Sequence, residues 1–125
     1  MRSILAGLAG ALTCGAALVC GMAWALVPES GFLKENDAAM ARMMTGMAVK
    51  PTGNVDADFA AMMIPHHQGA IDMAVAELRY GRIEQLRRIA QEIIVDQQQE
   101  IAAMRLALGQ KPPPSVPAPT MAGMK

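Results

Sequence analysis

Turn-forming residues divide this chain into three segments, each with the spacing of apolar residues that a helix requires. Residues 50–54 contain Pro51 and Gly53, Gly81 stands alone, and Gly109 precedes a tail rich in proline. Between these breaks, apolar residues recur every three or four positions, and no segment alternates between apolar and polar residues as a strand does. The sequence therefore predicts an all-α fold of three helices, followed by a tail that is extended or disordered.

The ends of the three helices can be predicted from local signals. The first helix is expected over 32–49 with Ser30 as its N-cap, and the second from Asp56 or Asp58 to Tyr80, where Gly81 stops it. The third is expected over 83–108. Its buried stripe is predicted to consist of Leu86, Ala90, Ile93, Met104 and Leu108. Since about 75 residues make a thin core, we expect a homodimer to complete a four-helix arrangement, or a bound metal to staple the bundle.

The N-terminal segment is predicted to lie outside the fold. Arg2 is followed by an uncharged apolar run over 4–27, which is long enough to cross a bilayer. Residues 23–25, Ala-Trp-Ala, have the small residues of a signal-peptide cleavage site, although the apolar run continues past them. A cleaved signal peptide and an uncleaved membrane anchor both remain open, and either one exports the rest of the chain. The chain is therefore divided into residues 1–27 (signal peptide or anchor), 28–109 (helical domain) and 110–125 (tail).

Composition and charge exclude several classes of protein. The chain has 11 basic and 11 acidic residues and only 3% aromatic residues, so it lacks the positive charge and the stacking surface of a nucleic-acid binder. Both cysteines, Cys14 and Cys20, lie inside the N-terminal segment. The exported part then has no thiol, which excludes disulfides, cysteine zinc sites, c-type haem attachment and a cysteine nucleophile. No other catalytic constellation can be assembled from these residues, so we do not expect an enzyme.

Methionine is the unusual component, with twelve residues in a chain of 125. Three of them lie close to both histidines of the protein, in the predicted second helix. On a helix, Met63 and His67 share the apolar face, while Met62, His66 and Met73 share a stripe on its flank. Adjacent residues point about 100° apart, so the two histidines cannot bind one ion from a regular helix. A kink at the proline that precedes them could bring their rings closer.

The predicted third helix has a matching polar feature. Gln97 lies in the middle of its apolar stripe and Glu100 on the edge, where a buried polar side chain needs a partner. Counting residues on either side of the second turn places His67 level with Gln97, and Met63 level with Glu100. Counting around the first turn, at Thr52, places Met40 and Met43 beside the segment from Met62 to His67. These side chains are therefore predicted to form a polar layer next to a cluster of thioethers.

Thioether and imidazole groups in one cluster are typical of a site for a soft metal. Thioether sulfur selects copper(I), imidazole binds both copper(I) and copper(II), and amide or carboxylate oxygens can orient a histidine. Thioethers also remain usable in an oxidising compartment, which agrees with the export of a chain without thiols. The predicted copper ligands are His66, His67, Met40, Met43, Met44, Met47, Met62, Met63, Met73 and Met104, with Gln97 and Glu100 as hydrogen-bond partners of the histidines. Methionine at helical spacing also suits a packed core, so each methionine has this second interpretation. His67 has one as well, as a core histidine bonded to Gln97 or Glu100, so His66 is the better candidate ligand of the two histidines.

A specific motif extends through the predicted second and third helices. It consists of Asp58-Phe59, then Met62-Met63-Ile64-Pro65-His66-His67-Gln68, then Ala70-Ile71, Met73-Ala74, Leu78, Gly81, Gln97, Glu100-Ile101 and Met104. On these residues, the segment from about Gly31 to Gly109 resembles a family of small exported proteins rich in histidine and methionine, long described as a domain of unknown function. The resemblance implies a ferritin-like helical bundle that binds copper through methionine and histidine and contributes to copper tolerance. It does not imply a di-iron centre, because the chain has no Glu-x-x-His pair.

Three functions from different classes follow from these features. The first is a periplasmic or otherwise extracytoplasmic protein that binds copper, preferably copper(I), and sequesters it or transfers it to a partner protein. The second is an electron-transfer bundle that holds haem between a histidine and a methionine. The third is a helical interaction module in which methionine only fills the core. Contact with a membrane is expected only through the N-terminal segment, if it remains uncleaved.

Overall fold

The computed structural model describes residues 17–114 and residue 117, with side chains from residue 29 onward. It contains three helices, α1 (Ala17–Met47), α2 (Val55–Tyr80) and α3 (Glu84–Ala107). No strand occurs among these residues. The central helix α2 packs against both α1 and α3, and the two outer helices have few contacts with each other. The all-α architecture and its three helices are therefore confirmed.

Helix α1 differs most from its prediction. It begins at Ala17 and passes through Ser30, so Ser30 is not an N-cap, and it ends at Met47, two residues before the predicted end. The reason is that the apolar run and the first predicted helix join without a strong break, because Pro28 alone does not end the helix. Among the described residues, no helix is long and apolar enough to cross a membrane. The cleavage or anchoring of residues 1–27 stays a prediction, since residues 1–16 lie outside the described part.

Helix α2 begins at a well-formed cap. The side-chain oxygen of Asn54 accepts hydrogen bonds from the backbone N–H groups of Asp56 and Ala57, each at 3.1 Å. The carboxylate of Asp58, in the same first turn, accepts hydrogen bonds from the backbone N–H of Thr52 at 2.9 Å and from its hydroxyl at 2.7 Å. These bonds lower the pKa of Asp58 from its ordinary value of 3.8. They also fold the connecting loop back along the first turn of α2.

The far end of α2 is held by α3. The backbone N–H of Gly81 donates to the carbonyl of Glu77 at 2.8 Å, so Gly81 ends the helix as predicted. The guanidinium of Arg87 donates to the carbonyl oxygens of Leu78 at 2.6 Å and Gly81 at 2.9 Å. These carbonyls belong to the last turn, where helical partners are missing and the helix dipole is negative. Arg87, which belongs to α3, therefore caps the C-terminus of α2.

Helix α3 ends close to its predicted boundary. Gly109 has a φ of 70°, and its N–H donates to the carbonyl of Leu106 at 2.9 Å, while the N–H of Gln110 donates to the carbonyl of Arg105 at 2.8 Å. This pair of bonds is a Schellman motif, which needs a left-handed residue at the position of Gly109. Beyond it, residues 110–114 are not helical, and residues 112–114 line a cleft between α2 and α3.

The buried stripe of α3 is rotated from the predicted one. Ala90 is buried against α2 as predicted, whereas Leu86 is 47% exposed. Ile93 and Met104 are only partly buried against this core. The fully buried positions beside Ala90 are Ile94 and Ile101, which belong to the same core cluster as Ile71 and Leu78 of α2.

Two glycines lie at the contact between α1 and α2. An added Cβ on Gly69 would lie 2.7 Å from the sulfur of Met43 and 2.8 Å from its Cβ, and one on Gly46 would lie 2.6 Å from the Cβ of Pro65. Helix α2 continues through Pro65, whose ring packs on Gly46. The two glycines let the helix axes approach more closely than larger residues would allow.

The register of α1 and α2 is shifted from the counted one. Met43 packs on Gly69, and Gly46 on Pro65, so Met47 lies beside the segment from Met62 to His67, whereas Met40 and Met43 lie beyond its end. Counting around Thr52 assumed a symmetric hairpin. Instead, the contact between Thr52 and Asp58 holds the loop along the first turn of α2. Helix α1 ends at Met47, several residues before the loop reaches α2.

Candidate metal centre

The two histidines lie on different sides of α2. His67 is buried and points toward α3, while His66 is exposed. The Nδ1 of His67 lies 2.8 Å from the carbonyl oxygen of Met63, and its Nε2 lies 2.6 Å from Oε2 of Glu100. Of the two predicted hydrogen-bond partners of His67, Glu100 therefore bonds to the ring, whereas Gln97, which the count placed level with it, does not. The side-chain amide of Gln97 instead donates to Glu100, at 3.4 Å.

Both ring nitrogens of His67 are occupied by these bonds. A carbonyl oxygen can only accept, so Nδ1 carries a proton and donates it to the carbonyl of Met63. Nε2 faces Oε2 of Glu100 at 2.6 Å, so the carboxylate covers the second ring nitrogen as well. A metal ion could reach His67 only after Glu100 moved away. The arrangement therefore favours a structural role for His67, which joins α2 to α3.

His66 has its ring nitrogens available. Within the described part of the chain, neither nitrogen has a hydrogen-bond partner, and the side chain is exposed. Its ring lies edge-on to that of His67, with the ring centroids 5.8 Å apart. Because the nitrogens of His67 are engaged elsewhere, the two rings do not form a ready pair of ligands. His66 is the better placed histidine for binding an ion from solvent.

Ion pairs mark one edge of the contact between α1 and α2. Nη2 of Arg42 lies 2.8 Å from Oδ2 of Asp72. Further along, Arg79 donates to Glu35, whose carboxylate also accepts a hydrogen bond from the hydroxyl of Tyr80 at 2.9 Å. The bond from Arg79 lowers the pKa of Glu35 below its ordinary value of 4.5. We call this side the ion-pair edge.

Methionines and His66 lie along the opposite edge. Each residue of a helix is rotated about 100° from the one before, and the two helices are antiparallel, so the residues opposite the ion pairs can be identified from their positions. We call this side the methionine edge, and its members are Met40, Met44 and Met47 on α1, with Met62, His66 and Met73 on α2. Both arginines of the described parts of α1 and α2, Arg42 and Arg79, lie on the ion-pair edge, so neither repels a cation from the methionine edge.

Exposure separates these methionines from core residues. Met40 is 42% exposed, Met44 60% and Met62 39%, while Met47 and Met73 are partly buried. A methionine that only fills the core loses its contact with water, as Met43 does where it packs on Gly69. The sulfur atoms of the methionine edge therefore belong to side chains that an ion can approach from solvent.

The other predicted ligands lie elsewhere. Met43 is buried between α1 and α2, and Met104 packs against the core between α2 and α3. Met63 is partly buried at the level of Met104, since the contact between His67 and Glu100 sets the register of these helices. The predicted ligand set is thus divided between the methionine edge and the two helix interfaces. The tail methionines, Met121 and Met124, lie outside the described residues.

The donors on the methionine edge define the kind of ion that could bind there. Among the described residues, no group of three or more His, Cys, Asp or Glu side chains is arranged to hold a metal. A site on this edge would depend on thioethers beside a single imidazole, which is a donor set for a soft ion. Sequence reasoning found this edge because the stripe of Met62, His66 and Met73 lies on one helix. It missed Arg42 and Asp72, whose pairing depends on the register of two helices.

Fold and site together define a small all-α protein with a solvent-accessible row of thioethers and one imidazole between two of its helices. The model of the family described as a domain of unknown function (DUF305) matches residues 27–108 of the chain. The protein belongs to this family. No curated protein matches the sequence.

Proposed function

We propose that this protein binds copper(I) outside the cytoplasm and either sequesters the ion or passes it to a partner protein. The observation that supports this proposal is the exposure of methionines on the same edge as His66. Packing explains a buried methionine, but it does not explain a row of large apolar side chains that remain in contact with water.

The chemistry of the donors favours copper(I) over harder ions. Thioether sulfur is a soft and neutral ligand, so it binds monovalent copper, and its mimic silver(I), without losing a proton. The imidazole of His66 adds one stronger donor and also accepts copper(II). Zinc prefers thiolate, imidazole and carboxylate ligands, which are not assembled on this edge. An open edge also allows a second protein to supply ligands in turn, so the ion could be transferred without a redox step.

The sequence adds two supports. The Met-Ile-Pro-His-His run, residues 63–67, resembles that of the periplasmic copper-binding protein CopM, a relative that we take as a guide to the cargo. The apolar segment over 4–27 is expected to direct export, and it leaves a chain in which thioethers replace thiols. A role in copper homeostasis or tolerance in the periplasm follows from the two together.

Competition for copper(I) tests the proposal. The purified chain is titrated with copper(I) in the presence of a chelator, with zinc as the control metal. The variant Met62→Leu/His66→Ala should lose at least about tenfold in copper(I) affinity, which corresponds to about 1.4 kcal/mol. The matched control is Met63→Leu/Met104→Leu, which changes two methionines between α2 and α3 and should keep its affinity. Equal losses in the two variants, or no copper(I) binding by the native chain, would contradict the proposal.

A helical interaction module is the second candidate. Phe59 is 54% exposed, Leu86 47% and Ile89 49%, and such side chains on a small bundle are suited to contact with another protein. This candidate predicts full helicity and a specific protein partner in the absence of metal. The titration separates the two candidates, because the interaction module requires no affinity for copper.

A further inference from the structure

We infer that the methionine edge holds two separate soft monovalent ions, one in a subsite formed by Met47, Met62 and His66, and one in a subsite formed by Met40 and Met73, with Met44 between the two. The inference rests on the proposed function, since it divides the same edge into two sites. The second subsite contains no histidine and would be missed by a search based on imidazole ligands.

The register of α1 and α2 places the two groups. Met43 lies against Gly69, and Gly46 against Pro65, so paired positions in the two helices have numbers that add to 111 or 112. By this relation, Met47 lies within two residues of the level of His66. The same relation places Met40 within two residues of the level of Met73, farther along the edge from His66.

The two subsites differ in construction. In the first, Met62 and His66 are four positions apart on α2 and are neighbours on the helix surface, with Met47 at their level on α1. In the second, Met40 on α1 faces Met73 on α2, and Met44 lies one turn away, between the two subsites.

The directions of the side chains favour convergence within each group. Side chains on a helix lean toward its N-terminus, so Met44 leans toward Met40. Because α2 is antiparallel, Met73 leans toward the level of Met40. In the first subsite, His66 leans toward Met62, and Met47 leans back toward the level of His66. Three donors in the first group and two in the second suit the low coordination numbers of soft monovalent ions.

The separation along the edge is too large for one ion. His66 and Met73 are seven residues apart on α2, and so are Met40 and Met47 on α1. At 1.5 Å per residue, each interval is about 10 Å. Metal–ligand bonds are only about 2.3 Å long for sulfur, so one ion cannot reach both ends. Two ions at this distance in water also repel each other weakly, with about 0.4 kcal/mol of Coulomb energy.

Silver(I) counting by native mass spectrometry tests the inference, with the full chain and two double variants. Met62→Leu/His66→Ala should remove one silver ion from the native count and leave the ion of the second subsite. Met40→Leu/Met73→Leu should also remove one ion, and the NMR signals of the His66 ring should still shift when silver is added. The combined quadruple variant should lose two ions. Substitution by leucine preserves packing at the exposed positions, and circular dichroism checks that each variant is folded.

Other outcomes distinguish the inference from the proposed function. If either double variant removes both ions, or if the second has the native count, the edge contains one site and the inference is overturned. If the native chain binds no silver or copper(I) at all, the proposed function fails as well. The control Met63→Leu/Met104→Leu should keep the native count, because both of its positions lie away from the edge.

Discussion

Nε2 of His67 lies 2.6 Å from Oε2 of Glu100, and this contact joins the central helix α2 to α3 across 33 positions of sequence. Its counterpart on the same ring is the bond from Nδ1 to the carbonyl of Met63. A buried imidazole with both nitrogens engaged contributes to stability and is poorly available to a metal. The neighbouring His66 is exposed and has the opposite properties.

The two histidines are therefore expected to give opposite results when each is replaced by alanine. His67→Ala should lower the free energy of unfolding by about 1–3 kcal/mol, since a buried ring and its hydrogen bonds are lost. His66→Ala should change this free energy by less than about 0.5 kcal/mol, as at most exposed positions. For copper(I) affinity the order of the two variants is reversed. His66→Ala should lower the affinity at least about tenfold, and His67→Ala should lower it less. Urea denaturation and chelator competition on both variants provide the measurement.

This pair of variants also separates two interpretations of the sequence motif. In one interpretation, His67→Ala leaves stability unchanged and lowers the affinity for copper(I) as much as His66→Ala does. This result would mean that the bond from His67 to Glu100 is broken in the metal-bound protein and that both histidines are ligands. The variant Glu100→Ala then provides a check, because it removes the group that covers Nε2 without removing the ring and should in that case strengthen copper(I) binding.

Gly69 is expected to tolerate no side chain. Alanine has a helix propensity about 1 kcal/mol better than glycine, so Gly69→Ala would stabilise an isolated helix. Here an added Cβ would lie 2.8 Å from the Cβ of Met43, which cannot move without its backbone. We expect the overlap to prevail and to lower stability by about 1–3 kcal/mol, as overpacking does. Thermal denaturation of Gly69→Ala gives the sign directly.

A double-mutant cycle identifies the cause of this loss. Met43→Ala alone should destabilise the protein by about 2–4 kcal/mol through the cavity it leaves. In the Gly69→Ala background the same change should cost distinctly less, because it also relieves the overlap. Strict additivity of the two changes would mean that Gly69 and Met43 do not limit the approach of α1 to α2.

Asp58 gives a pH dependence with a defined sign. Its hydrogen bonds from Thr52 hold its pKa below 3.8 in the folded chain, while the unfolded chain has the ordinary value. The unfolded chain therefore takes up a proton first as the pH falls, and the contribution of Asp58 to stability is lost as the pH falls through the lowered pKa. It is fully present above pH 3.8. Asp58→Asn should lower the melting temperature at pH 7, and the difference from the native chain should disappear in strong acid.

Asp56→Asn is the matched control for Asp58→Asn. Both carboxylates lie in the first turn of α2, so both lose the same favourable interaction with the helix dipole. Only Asp58 accepts hydrogen bonds from Thr52. A larger effect of Asp58→Asn at neutral pH thus measures the loop contact, and equal effects of the two variants would mean that the loop contributes nothing.

The loop contact also explains which parts of the structure were predictable. The ends of α2 and α3 were found within one or two residues because Gly81 and Gly109 act locally on the helices that they end. The position of His66 on the flank of α2 followed from the period of one helix. The partners across helices were shifted, because the register of α1 depends on the path of a loop that is held by Thr52 and Asp58. No local pattern contains that path.

Arg87 and Arg88 are adjacent in sequence but are expected to differ in their effect on stability. Arg87 donates to the carbonyls of Leu78 and Gly81 at the end of α2, whereas Arg88 pairs with Glu84 one turn earlier on its own exposed surface. Charge-assisted bonds to helix-end carbonyls are partly shielded from water here, so Arg87→Ala should cost about 1–2 kcal/mol. An exposed pair of this spacing contributes at most about 0.5 kcal/mol, which is the limit expected for Arg88→Ala. Urea denaturation of the two variants side by side measures the difference, and equal small losses would show that α2 does not depend on α3 for its C-terminal cap.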